Sequence, residues 1–232
     1  MKEATIVNIT RISPDVRQYT LKLEDEEFDG KPGQHTVISK PDGFRKPYSV
    51  LTLSGKRAVF MIRNVAEDGM SGYMAEREVG DKIKVKSNVS GNLFLKNPER
   101  PIALIATGTG ITPMMGILNQ YVKNGEEDVN FIFGDKNTDQ LLYREMLEQY
   151  ELLYDVESSY VLSREEWEGR EGYVQEHIDD IVEDAHEETE RDFYVCGVPP
   201  MVVETKEKLK ELGVPEERIH SEGWEDGIVD NG

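Results

Sequence analysis

The run Pro-Ile-Ala-Leu-Ile-Ala-Thr-Gly-Thr-Gly-Ile-Thr-Pro-Met-Met-Gly-Ile-Leu at 101–118 constrains this chain more than any other stretch. Ile102 to Ala106 is apolar with no polar alternation, the pattern of a strand covered on both faces in a parallel sheet. Gly108 and Gly110 then permit a sharp turn and bring the backbone close to a ligand with no Cβ in the way. Thr112 is a good N-cap and Pro113 suits a first helical position, so the spacing predicts a helix over Pro113–Lys123 with its positive end facing that turn. An anion such as a phosphate is well placed there. A Gly-x-Gly after a strand is also found in ordinary tight turns, so the rest of the chain has to decide.

With 232 residues the chain can form one large domain or two of about 100–130 residues each. Its 46 acidic against 27 basic residues leave a formal charge of −19, which argues against nucleic acid or an anionic membrane as partner. Acidity spread along the whole chain has the look of adaptation to high salt. The lone cysteine, Cys196, excludes an internal disulfide and an iron–sulfur cluster held by this chain alone. Met1-Lys2 runs straight into polar sequence and no segment approaches the roughly 20 apolar residues of a membrane span, so a cytoplasmic location is expected. His35, His177, His186 and His220 show no ligand spacing, and no metal site is expected.

Short apolar-alternating segments fill the first part of the chain: Ala4–Ile9, Arg17–Leu23, His35–Ser39, Tyr48–Leu53, Ala58–Val65 and Lys82–Ser87. Gly and Pro clusters separate them, and a closed antiparallel β-barrel is the expected architecture. One helix is expected over Ser71–Arg77, with Ser71 as its cap. After Pro98-Glu99-Arg100-Pro101 the rhythm changes. Strands at Ile102–Ala106, Val129–Gly134, Tyr154–Leu162 and Phe193–Cys196 alternate with helices at Pro113–Lys123, Gln140–Gln149, Val174–Ala185 and Pro200–Leu212. That alternation predicts an α/β domain with a parallel sheet. The expected division is a barrel over 1–97 and an α/β domain over 98–232.

The octet Thr107-Gly108-Thr109-Gly110-Ile111-Thr112-Pro113-Met114 departs from G-x-G-x-x-G by placing Pro and Met where the third glycine stands. It resembles the nicotinamide-dinucleotide loop of the ferredoxin-NADP reductase family. Phe193-Tyr-Val-Cys196-Gly197-Val-Pro199-Pro200-Met201 is similar to the Cys-Gly-x-Pro-x-Met ending of that family's fourth strand. Taken by itself, a cysteine on an apolar strand reads as an inert core residue. The resemblance instead implies that Cys196 lies against the nicotinamide with Gly197 and Met201, packing and orienting it, and that Thr107 to Gly110 and Pro113 hold the dinucleotide.

Arg45-Lys46-Pro47-Tyr48-Ser49 would otherwise read as surface decoration, yet it is similar to the family's R-x-Y-S flavin motif. The resemblance implies that Tyr48 packs on the isoalloxazine ring and that the Ser49 hydroxyl reaches toward N5. Lys46 occupies the Arg position here, with Arg45 one residue earlier. A lysine is a point charge where arginine offers a planar fork. Met70 and Ser71 fall in a segment resembling the second pyrophosphate loop, Ser90-Gly91-Asn92-Leu93-Phe94 resembles the turn that closes the barrel near the flavin, and Arg63 is expected along the nucleotide half of FAD.

Ser163 and Arg164 resemble the pair that reads the adenosine 2′-phosphate, and Tyr173 the aromatic that stacks on adenine. Glu171 stands where NADP-dependent members carry Lys, with Arg170 as a compensating cation, which leans only slightly to NADPH over NADH. Glu222-Gly223-Trp224 resembles the acidic-x-aromatic ending that lines the pocket and covers the flavin; Trp224 also reads as a hydrophobic anchor for the tail.

The family implies bound FAD, NADP or NAD as hydride partner, and catalytic positions at Ser49, Cys196 and Glu222. It further implies a separate ferredoxin or flavodoxin as electron partner. Two other functions fit the same motifs: an NAD(P)H-dependent reductase of free flavin or small acceptors, and an electron-transfer subunit of a larger dehydrogenase or hydrogenase complex.

Overall fold

Alternation of inward apolar and outward polar residues closes the first sheet on itself. The computed structural model describes residues 1–65, 67–126, 128–183 and 191–222. Strands β1 (Lys2–Arg11), β2 (Val16–Leu23), β3 (His35–Ser39), β4 (Arg45–Ser54), β5 (Arg57–Arg63) and β6 (Lys82–Val85) form a closed barrel in the order β1-β2-β5-β4-β3-β6. All neighbours are antiparallel, and β6 pairs back onto β1. Along β2 the residues Val16, Tyr19, Leu21 and Leu23 are buried. Tyr19, Leu21 and Leu23 meet Ile6, Ile38, Val50 and Phe60 in the barrel interior. Helix α1 (Met70–Ala75) adds Met70 and Met74 to that interior, and the Tyr19 hydroxyl donates to the Met74 carbonyl at 2.9 Å.

Two details differ from expectation. Helix α1 begins at Met70 behind Gly69, whose φ of 119° suits glycine, so Ser71 lies inside the first turn and does not cap it. Strand β4 begins at Arg45, which puts the whole Arg-Lys-Pro-Tyr-Ser segment on a strand edge beside β3.

The second sheet contains β7 (Ile102–Thr107), β8 (Val129–Asp135), β9 (Val156–Leu162), β10 (Arg170–Glu171), β11 (Asp192–Cys196) and β12 (Ile219–Ser221). Its order is β10-β9-β8-β7-β11-β12, and every pairing is parallel. The short strands β10 and β12 were not foreseen. Ile102, Leu104 and Ala106 of β7 pack toward α2 (Ile111–Lys123) and α3 (Arg144–Leu153), while Ala103 and Ile105 pack toward α4 (Ile178–Glu183) and α5 (Pro199–Glu211). Helices on both faces explain why β7 has no polar alternation. Helix α3 starts four residues later than expected, behind Tyr143, whose backbone is left-handed at φ 58°.

Chain order reverses on either side of β7, which lies between β8 and β11. The turns after β7 and β11 therefore flank the crevice where open α/β sheets take ligands. The barrel presses against the same region. A bulge in β4 between Val50 and Thr52 breaks the strand's register, and Leu51 joins the apolar core under α2. Backbone meets backbone there: a Cβ on Gly116 of α2 would lie 2.9 Å from the Leu51 carbonyl oxygen. Val16, Met61, Leu93 and Leu95 of the barrel side continue into the core that contains Leu104 and Phe131, so one apolar layer crosses the seam.

Candidate active site

Two glycine-dependent contacts shape the sheet side of the crevice. Residues Gly108–Gly110 form a single 3-10 turn after β7, and Gly108 has φ 55°. A Cβ on Gly110 would lie 2.2 Å from the carbonyl oxygen of Cys196, and one on Gly197 would lie 2.1 Å from Thr107 Oγ1. The Val198 N–H donates to that same Thr107 oxygen at 3.2 Å. Thr107, Gly108, Thr109 and Gly110 are thus interlocked with the turn after β11, where Cys196 is buried and Met201 packs under Gly197. Helix α2 begins at Ile111 with Gly110 at its cap position. Thr112, expected as the cap, instead donates its hydroxyl back to the Thr109 carbonyl at 2.7 Å, and Pro113 is the third helical residue. No acidic side chain occupies the first turn of α2, so the positive end of the helix is not neutralised there.

On the barrel side, the Tyr48 ring is half-buried and stacks on Phe60 with centroids 6.1 Å apart. Its hydroxyl is buried and has no hydrogen-bond partner among the described residues. Burial raises the Tyr48 pKa well above that of a free phenol, with a smaller contribution from Tyr19. Arg45 and Lys46 are exposed on the edge of β4, and Lys46 Nζ lies 6.0 Å from the Tyr48 ring centre. Among the described residues neither cation joins an ion pair. Pro47 faces Val37 of β3. Met70 turns its side chain into the barrel, and Ser71 beside it in the first turn of α1 is buried.

The two sides meet at Glu222, which follows β12 and is 6% exposed. Ser49 Oγ donates to Glu222 Oε2 at 3.4 Å, and His35 Nδ1 lies 2.7 Å from Glu222 Oε1. The other ring nitrogen of His35 lies 3.3 Å from Ser90 Oγ. Gly91, at φ 108°, closes over the pair, since a Cβ there would lie 2.3 Å from Glu222 Oε1 and 2.8 Å from His35 Nδ1. Ser49 and Glu222 were expected together. His35 was not, because its partner is 187 positions away and nothing in Pro32-Gly33-Gln34-His35 announces it. Trp224 lies outside the described residues.

Arg63, expected along the nucleotide half of FAD, also ties the barrel to the sheet. Its guanidinium crosses the seam to Asp135 at the end of β8, with Nη2 to Oδ2 at 2.8 Å, and its Nε lies 3.3 Å from Asp15. It also borders the nucleotide turn, 3.4 Å from where a Gly108 Cβ would be. Ser163 and Arg164 follow β9, and their backbone amides donate to the Asp135 and Lys136 carbonyls at 3.1 and 3.0 Å. Arg170, the expected compensating cation, is tied to Asp180. Tyr173 is 58% exposed and caps the turn before α4, where its backbone N–H donates to Glu176 at 2.7 Å.

Comparison with known proteins agrees with this geometry. Residues 3–93 match the oxidoreductase FAD-binding domain, and residues 104–207 match the oxidoreductase NAD-binding domain. The anthranilate 1,2-dioxygenase electron transfer component of Acinetobacter baylyi is 28% identical over 85% of this chain, which spans 59% of that protein's length. NADH-cytochrome b5 reductase 1 of Laccaria bicolor is 28% identical over 92% of this chain and 74% of its own length. Ferredoxin--NADP reductase B of Sorangium cellulosum is 27% identical over 96% of this chain and 97% of its own. The fold is shared with a ferredoxin NADP+ reductase from Neisseria gonorrhoeae, at a TM-score of 0.82 and 21% identity over 95% of this chain and 97% of that one.

The side chains present fit both cofactors. Among the described residues the buried Tyr48 hydroxyl has no hydrogen-bond partner and Arg45 and Lys46 supply positive charge outside any ion pair, while the Gly108–Gly110 turn presents backbone without side chains ahead of α2. This chain joins an FAD-binding barrel to an NAD(P)-binding α/β domain and belongs to the ferredoxin-NADP reductase family of oxidoreductases.

Proposed function

We propose that this chain takes hydride from NAD(P)H onto FAD and passes the electrons singly to a ferredoxin or flavodoxin. When bound, FAD supplies the step from a two-electron donor to a one-electron acceptor. The observation that carries this reading is the meeting of Ser49 and Glu222, one from each domain, at 3.4 Å beside the crevice. Tyr48 offers a ring face for the isoalloxazine, and Ser49 a hydroxyl at its edge. Arg45, Lys46, the first turn of α1 and Ser71 would hold the FAD phosphates. The turn Thr107–Gly110, with Pro113 in the helix behind it, would hold the nicotinamide dinucleotide, and Cys196, Gly197 and Met201 would orient its reacting ring. Alignment and exclusion of water are what these residues contribute; none of them needs to bond covalently to substrate.

Ser163 and Arg164 favour NADPH over NADH. Because Arg170 is held by Asp180, that preference rests on the one guanidinium of Arg164. A second reading, an electron-transfer part of a larger oxygenase or dehydrogenase system, is supported by the 28% identity to a dioxygenase electron transfer component.

Purified protein tested with NADPH and NADH against ferredoxin, flavodoxin and free FMN separates the possibilities. The proposal expects a flavin spectrum, NADPH oxidation and faster reduction of a protein carrier than of FMN. Faster reduction of FMN would assign the chain to small acceptors instead, and the absence of a flavin spectrum would remove the enzymatic reading.

A further inference from the structure

We propose that the face formed by Lys31, Phe94 and Lys96 is the docking surface for a small acidic one-electron carrier protein. The inference rests on the flavin-reductase reading above and names where its protein partner binds. Lys31 Nζ lies 4.7 Å from the centre of the Phe94 ring and Lys96 Nζ lies 3.5 Å from it, so two ammonium groups share one half-buried aromatic. Neither lysine joins an ion pair among the described residues, although the chain carries 46 acidic side chains. Bringing like charges together is unfavourable, and the Lys96 pKa is lowered accordingly, first by burial and then by Lys31. An anionic surface laid over the pair would relieve that repulsion and could pack on the Phe94 ring.

The position is as telling as the charge. The Lys31 N–H donates to Gln34 Oε1 at 2.8 Å, and Gln34 Nε2 donates to the Gly91 carbonyl at 2.9 Å. Gly91 is the residue that closes over His35 and Glu222. The lysine pair therefore stands on the rim of the reacting centre, joined to it through one glutamine side chain. A net charge of −19 repels an acidic partner at long range, but at physiological salt fields are screened within about 8 Å, so the local charge at the contact governs docking.

The test uses the full-length, FAD-loaded chain and the double variant Lys31→Glu/Lys96→Glu, with Lys84→Glu/Lys123→Glu as an equal change of charge elsewhere. Affinity is measured for a [2Fe–2S] ferredoxin, a flavodoxin and basic cytochrome c, alongside NADPH-driven reduction of the neutral quinone menadione. The expected result is about tenfold or greater weakening of binding to an acidic carrier in the first variant only, with menadione reduction unchanged and the difference shrinking as salt rises. Equal weakening in both variants, unchanged affinity, or binding of cytochrome c with no acidic carrier bound would overturn the proposal. Failure of the parent chain to reduce menadione would instead remove the flavin reading beneath it.

Discussion

On the sheet side of the crevice the backbone is already locked: the Gly110 position abuts the Cys196 carbonyl, the Gly197 position abuts Thr107, and Asp135 holds Arg63. On the barrel side the Tyr48 hydroxyl has no partner among the described residues, and Arg45 and Lys46 stand exposed outside any described ion pair. One side is made of close approaches that admit no extra atom. The other is made of polar groups that have no described protein partner. The contrast teaches that the nucleotide turn is preorganised by packing, whereas the flavin edge is completed by binding.

The largest effect expected from breaking this contrast is at Arg63. Arg63→Ala leaves Asp135, whose side chain is 3% exposed, without its guanidinium. Removing one partner of a buried pair costs about 3–5 kcal/mol, read as a lower denaturation midpoint in urea. A loss below about 1 kcal/mol would show that the pair behaves as a solvated surface contact. Next is Arg164→Ala, which removes a charge-assisted contact of about 1.5–3 kcal/mol and should lower the NADPH-to-NADH ratio of kcat/KM about 10- to 150-fold. An unchanged ratio would place the discrimination elsewhere. Gly110→Ala should destabilise by about 1–3 kcal/mol through overpacking and weaken NAD(P)H use while sparing FAD affinity. Equal loss of both cofactors would contradict the division between the two sides.

The smallest effect has opposite signs on the two states. Tyr48→Phe removes a buried, unpartnered hydroxyl and should stabilise the flavin-free chain by about 1 kcal/mol while weakening FAD binding. Burial raises the Tyr48 pKa, so its neutral form is favoured in the fold. That contribution is complete below the unfolded pKa of about 10 and is lost as pH rises toward the folded value, so the variant should lose less stability under alkaline conditions than the parent. Destabilisation of the flavin-free variant would mean that the hydroxyl is already satisfied.

Sequence made the packed side more legible than the polar cross-seam contacts. Gly108, Gly110 and Gly197 stand out because a local backbone need selects glycine, and β7 because burial on both faces removes its polar residues. Contacts between distant positions left no such trace. His35 with Glu222 and Arg63 with Asp135 are separated by 187 and 72 positions, and neither pair has a local pattern. Strands β10 and β12 were missed because two or three residues become a strand only by pairing with β9 and β11. At Thr112 a local preference misled. Its hydroxyl found the Thr109 carbonyl within the turn, and the cap position fell to Gly110.

The central claim is that the seam brings a nicotinamide and a flavin together for direct hydride transfer. Rapid mixing of the FAD-loaded chain, without oxygen, with NADPH and with NADPH stereospecifically deuterated at C4 tests it most directly. The account predicts flavin bleaching that slows several-fold with one of the two C4 deuterated forms and stays unchanged with the other. Bleaching at the same rate with both, or no bleaching by either pyridine nucleotide, would contradict it.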